Sequence, residues 1–436
     1  MRKPLAALSA LLLAACSASV GDARSPFDTR YDPGFRLRPL SPDEPPAPPA
    51  PLAPGAGIVE PTYGTWLFRA TSVDDGSGGR MRHEYSRRQA FNADNSRLLA
   101  QDATGHWHLY DDAGSHLGGL DLAGDCEPLW HPSDPTKLLH TERGGGLRWH
   151  WLDVSSGRRH VAFDLTGRTP WPEATEFWTR SEGTTSADGR IITLLATRYE
   201  PGGQLTAHGV LTLDVTNGTV LGTLDADDFP TPGALPDHVS TAPSGEYAVV
   251  SWLAGAGGTV AYSLDFGESR QLAPGSEHSD LALGPDGADL LVYADYGRGQ
   301  LTATALATGT VVELHPLYPA AGEAYAVHIS GQAFDRPGWA VVSTYADSAE
   351  YGAVSPAPVA RAEYRKVWLM ELVPGGRRLN LAHTQSGAAA DEVSAYFLEP
   401  QASASRDLSR VIFASDFGSG RVESHVVGLP SWALDS

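Results

Sequence analysis

The chain has 436 residues, with 52 acidic side chains against 32 Lys and Arg, and a net charge of −20. That balance excludes general affinity for nucleic acid or an anionic membrane, and it disfavours an anionic ligand except where cations gather locally. Gly (47) and Pro (32) punctuate short β-rich runs, and no sustained helical period follows the N-terminus, so an all-β fold is expected.

Arg2 and Lys3 precede the apolar run Leu5 to Ala15, the layout of an export signal. The run is too short to span a bilayer. It ends Leu13-Ala14-Ala15-Cys16, which resembles a bacterial lipobox and implies a signal peptide over residues 1–15 and a lipid on Cys16. An ordinary signal peptide cut elsewhere is the alternative. Residues 16–58 are expected to form a tether, rich in Pro and Ala from 41 to 56, that holds residues 59–436 off the outer membrane or cell surface. Release as a secreted protein is the other outcome. Beyond Cys16 only Cys126 remains, so no intrachain disulfide is available.

From Glu60 to Ala70 the chain carries Trp66-Leu67-Phe68, placed to supply a closing strand. One phrase then recurs at intervals of about 40 to 70 residues: an apolar stretch, a tight turn, and a β-rich run. The turns are Asn92-Ala93-Asp94-Asn95, His131-Pro132-Ser133-Asp134, Ser186-Ala187-Asp188-Gly189, Ala242-Pro243-Ser244-Gly245, Gly284-Pro285-Asp286-Gly287, Phe334-Asp335-Arg336-Pro337 and Ser403-Ala404-Ser405-Arg406. Strands are expected after most of them, as in Arg97–Ala100, Ile191–Leu194 and Val411–Ala414. Repeats of this kind predict a seven-bladed β-propeller with four strands per blade.

In such a ring the turns share one face, and the starts of the inner strands share the other, where ligands commonly bind. The inner-strand starts carry His83, Arg87, Arg88 and Gln89, then Asp125, Cys126 and Glu127, then Arg180, Ser181 and Glu182. Blades four, five and six each bring one histidine, His238, His278 and His328, and blade seven brings Glu399 and Gln401. The loops between second and third strands add His106, Arg143, Arg198 with Tyr199, Tyr296 with Arg298, Tyr345, and Asp416 with Arg421. Three imidazoles at one mouth either bind a divalent ion, zinc first and calcium as the alternative, or hydrogen-bond between blades. Cys126 is a conceivable further ligand, or a buried inert thiol.

Several phrases carry a family resemblance: Ser86-Arg87-Arg88-Gln89, His106 to Tyr110, Gly124-Asp125-Cys126-Glu127-Pro128, Trp178-Thr179-Arg180-Ser181-Glu182-Gly183, Asp237-His238-Val239-Ser240 and His328-Ile329-Ser330-Gly331. Across most of residues 60–430 the chain resembles the ulvan lyases of polysaccharide lyase families 24 and 25, and more distantly the oligogalacturonate lyases. The resemblance implies β-elimination on an anionic, uronate-containing, sulfated polysaccharide by a monomer. It implies His83 and His106 as the catalytic histidines, Arg198 as the cation that neutralises the uronate, and structural zinc on His238, His278 and His328. The family's active-site tyrosine falls where this chain reads Phe177-Trp178-Thr179-Arg180, so Tyr199 takes its place. The competing expectation is a non-catalytic propeller lipoprotein that binds envelope proteins or glycans.

Overall fold

The computed structural model describes residues 24–43, 52–276, 278–317, 325–347, 362–387 and 396–435. The expected signal peptide and lipobox lie outside these residues. The described strands pair into five sheets of four and one sheet of nine.

The four-stranded sheets run outward from Leu129–Trp130 (blade two), Glu176–Trp178 (three), His238–Thr241 (four), Ser279–Leu283 (five) and Tyr325–Ser330 (six), each antiparallel and in chain order. The nine-stranded sheet divides where Val422 and Glu423 pair in parallel with Arg80 and Met81. On one side lie Arg80–Arg82, Arg97–Asp102, Trp107–Asp111 and His116–Leu120, which form blade one. On the other, Ser403–Ala404, Arg410–Ser415 and Val422–Gly428 are completed by Trp66–Arg69, with Gly57–Val59 outside. The ring therefore closes by mixing chain ends, Trp66 opposite Gly428 and Arg69 opposite His425.

The turn phrase folds the same way in three blades. Asn92 Oδ1 accepts from Arg97 N at 2.9 Å, Ser186 Oγ from Ile191 N at 2.9 Å, and Ser405 Oγ from Arg410 N at 3.0 Å. A short polar side chain thus satisfies the amide that opens the next strand five residues on.

Apolar packing lies between blades. Seven clusters each join residues of two successive blades, from Leu99, Trp107 and Leu138 between one and two to Phe68, Val426 and Met81 between seven and one. Trp107, Trp149, Trp252 and Trp368 are fully buried in these layers. Each sheet is covered on both faces, which suits strands that read as continuous apolar runs.

Part of the span expected as tether packs on the ring. Ser25 Oγ donates to Leu429 O at 2.6 Å, Tyr31 OH donates to Gly428 O, and Leu40 N bonds Arg378 O at 2.9 Å along the outer edge of blade six. The reason lies in the sequence: Phe27, Tyr31, Phe35 and Leu37 give this stretch apolar groups to bury, which a solvated linker lacks.

Candidate functional site at the ring mouth

Two inner strands are interrupted, and the interruptions carry the charged groups. In blade one the pairing of Met81 with Asp102 resumes only at the Phe91–Leu98 bridge, leaving residues 83–89 as a loop inside the ring. In blade three, pairing stops at Trp178–Leu195 and resumes at Ser186, whose N–H bonds Ile191 O at 2.9 Å.

Arg87, 4% exposed, crosses from the first loop to three other blades. Its Nε donates to Ser279 O, its Nη1 donates to Glu182 Oε2 and lies 3.0 and 3.1 Å from the ring nitrogens of His238. Asp237 Oδ2 sits 3.4 Å from His238 Nδ1, and Arg180 Nη1 3.8 Å from Asp237 Oδ1. Burial, then the charge of Arg87, holds the His238 imidazole below its ordinary value. Burial pushes the Asp237 carboxyl up, but its bond to His238 and the nearby cations win and hold it at about 2. The neighbouring Arg88 is structural: it bonds Glu84 at 3.0 Å and donates to Gly183 O.

A second group lies on blades five to seven. The rings of His278 and His328 meet edge-on at 4.9 Å, and Tyr345 stacks on His328 at 5.0 Å. His328 Nε2 is 2.8 Å from Glu399 Oε2, while Arg82 donates to Gln401 Oε1 and to Phe397 O. Burial pushes His278 down to about 3 and His328 well below its ordinary value, so both are neutral at pH 7. Burial pushes Glu399 up to about 7, against the bond from Gln401 and the charge of Arg82. Tyr85 joins the two groups, with Arg87 5.8 Å from its ring centroid and His328 5.4 Å away edge-on.

Of the residues expected to catalyse, His83 lies beside the second group through Gln401, whereas His106, Arg198 and Tyr199 stand apart from both. His83 is 1% exposed, with Nε2 2.7 Å from Gln401 O and Nδ1 3.0 Å from Ser424 Oγ, and burial pushes it down to about 3. His106 projects from an exposed turn, 2.8 Å from Thr104 Oγ1. Arg198, near the end of the strand Ile191–Tyr199, pairs with Glu173 at 3.5 Å, and Tyr199 beside it is half exposed. Tyr345, expected in a second-to-third-strand loop, lies in the strand Trp339–Asp347 and reaches His278 and His328.

The expected three-histidine ion site is likewise not formed. Arg87, Glu182 and Asp237 engage His238, whereas His278 and His328 pair with each other. Cys126 packs among Leu99, Trp107, Trp130 and Leu138, where burial pushes its thiol up, and it lies outside the one group of possible ligands among the described residues. Among the described residues one group can hold a metal ion: ligand atoms of Glu182, Asp237 and His238 all lie within 4.8 Å of one another. Two carboxylates and one imidazole suit a hard or borderline divalent ion, and nothing in the set selects zinc.

Sequence reasoning did not single out Tyr85 or pair Glu182 with Asp237. The signal for them was position at the inner mouth, since each stands in or beside a stretch that starts an inner strand.

The fold and its ring mouth define the class: the chain is an all-β propeller. No family model matches it, and no curated protein matches it. Among solved structures it is similar to an oligogalacturonate lyase in complex with manganese, at 15% identity and a TM-score of 0.59, over 88% of this chain and 98% of that one. It is similar also to an oligogalacturonate lyase from Vibrio parahaemolyticus, at 14% identity and a TM-score of 0.58, over 86% of this chain and 96% of that one. At such identities the likeness is one of fold. These structures represent the more distant of the two resemblances read from the sequence.

Proposed function

We propose that the chain is a carbohydrate lyase that cleaves a uronate-containing polysaccharide by β-elimination at this mouth. The observation that carries the reading is the convergence of buried guanidinium groups, neutral imidazoles and tyrosines from several blades on one end of the ring. Neutralising the uronate carboxylate acidifies the C5–H and stabilises the developing enolate-like charge. Arg87 and Arg180 are the cations for that task. His278, partly exposed and uncharged, is placed to take the C5 proton, and Tyr345 to protonate the leaving O4. Glu399 orients His328 through their 2.8 Å contact. A divalent ion held by Glu182, Asp237 and His238 would supply positive charge toward the substrate carboxylate in place of Arg87.

The substrate we favour is an ulvan-like sulfated glycan, with oligogalacturonides the next to try. The export signal and Cys16 support action outside the cytoplasm, on a lipid-anchored protein.

The test is to incubate the protein with ulvan, polygalacturonate and other uronate polymers, and to follow the ultraviolet absorbance of the unsaturated product. Activity on at least one is expected, and silence on all of them sinks the reading. Arg87→Ala and His278→Ala are each expected to lower turnover by about 10²-fold or more, while His106→Ala and Arg198→Ala change it little. The opposite pattern would return the chemistry to His106 and Arg198.

A further inference from the structure

The one described cluster that can take a metal ion already contains a cation. Arg87 Nη1 donates to Glu182 Oε2 and lies about 3 Å from both ring nitrogens of His238, so it contacts two of the three ligand groups. The third, Asp237, has Arg180 3.8 Å away. Arg87 is not a surface side chain that strayed there. It is 4% exposed, arrives on a loop of blade one, and is fixed by its Nε to Ser279 O on blade five. A guanidinium delivered across the ring and sealed against a carboxylate and an imidazole is an independent sign that this cluster is built around positive charge.

We propose that Arg87 is the resident cation of the Glu182–Asp237–His238 cluster, and that a divalent ion binds there only by displacing it. A metal ion needs the ligand lone pairs turned toward it at close to 2 Å, and the guanidinium uses those of Glu182 while its Nη1 lies about 3 Å from both ring nitrogens of His238. Keeping both cations would set like charges a few ångströms apart in a poorly solvated space. With Arg87 in place, Glu182 has one guanidinium at contact distance and Asp237 has a second 3.8 Å away. With its side chain shortened, two carboxylates and a neutral imidazole remain, held by different loops and strands at fixed spacing. Arg87 therefore sets the metal affinity of the mouth. The inference stands on this geometry whether or not the chain is a lyase.

The experiment is calorimetric titration of the chelator-dialysed full chain with Mn²⁺. Arg87→Met is expected to bind one Mn²⁺ at least about tenfold tighter than the unmodified protein, because the competing charge is gone. Adding Asp237→Asn to that variant is expected to abolish the gain. Arg87→Lys keeps the charge without the forked donor and is expected to fall between the two. Arg87→Met binding no tighter than the unmodified protein, while folded by circular dichroism, overturns the proposal. So does Arg87→Lys binding as tightly as Arg87→Met; if the methionine variant does not fold, Arg87→Lys binding no tighter than the unmodified protein overturns it. Mn²⁺ held by the unmodified protein as tightly as by Arg87→Met, and lost in Asp237→Asn alone, overturns it too.

Discussion

Glu127 is 1% exposed, and both of its carboxylate oxygens serve blade three. Oε2 accepts from Thr179 N at 2.8 Å and Thr179 Oγ1 at 3.0 Å, and Oε1 accepts from Ser181 N. These bonds hold Arg180 and Ser181 at φ of 63° and 67°, a region that costs a non-glycine residue roughly 1–2 kcal/mol. The next residue is Glu182, which receives Arg87. Glu127→Ala should therefore destabilise the protein by about 1–3 kcal/mol through unsatisfied donors. It should also lower lyase turnover about tenfold, assayed well below its unfolding transition, as Glu182 loses its seat. Unchanged turnover in the folded variant would show that the loop does not depend on Glu127. At this scale the site was half legible in the sequence. Counting inner-strand starts put Arg87, Glu182, His238, His278, His328 and Glu399 on one face. Their partners were not legible, because which side chain crosses the ring depends on loop paths that span some 95 to 192 residues of chain. The positions carried over from the family resemblance stand beside local carboxylates instead, His106 in an exposed turn near Asp102 and Arg198 at the end of the strand Ile191–Tyr199 near Glu173.

Inner strands approach one another closely at two glycines. A Cβ on Gly183 would overlap Val239 O of blade four, and one on Gly331 would overlap Leu281 O of blade five. Gly183 also sits beside Glu182 and offers its carbonyl to Arg88. Gly183→Ala is thus expected to push the blade-three loop away from His238, costing about 1–3 kcal/mol as an overpacked core position does. Thermal unfolding and lyase rate should fall together. The same substitution at Gly331, in an intact strand end without a charged loop, should lower stability with less effect on rate. Equal rate losses at both sites would deny the blade-three loop its special role. The strands themselves were plain in the sequence, since turn and apolar run alternate with little competition from helix. Arg97–Ala100, Ile191–Leu194 and Val411–Ala414 all lie within longer observed strands. The breaks in blades one and three were not plain, because a loop that replaces inner-strand residues leaves the flanking apolar pattern intact.

The ring is held shut by few strands, and the seam between blades seven and one is rich in buried histidine. Val422–Gly428 receives Trp66–Arg69, and His83 of blade one ties this strand and the start of blade seven's inner strand together through Ser424 Oγ and Gln401 O. His425 of this strand, 3% exposed, packs against Phe413 of the neighbouring strand and Phe417 of the turn between them. Burial pushes both His83 and His425 down from 6.5 to about 3. Between those values the unfolded chain binds a proton that the folded seam rejects, so stability falls as pH drops through that window. Glu399, raised to about 7, and Asp280, raised to about 6, act in the opposite sense and lose stability as pH rises toward those values. The histidines outnumber them, because His278 (about 3) and His140 (about 4) add to the first effect. From pH 6.5 down to about 5, each fully buried histidine should remove about 2 kcal/mol. Denaturant unfolding at both pH values measures the sum. His425→Phe keeps an aromatic ring but cannot titrate, so the variant should show a shallower loss on acidification, by about 2 kcal/mol over the same interval. An unchanged slope would place the acid-sensitive groups away from the seam, and closure of the ring would then not depend on the neutrality of His425.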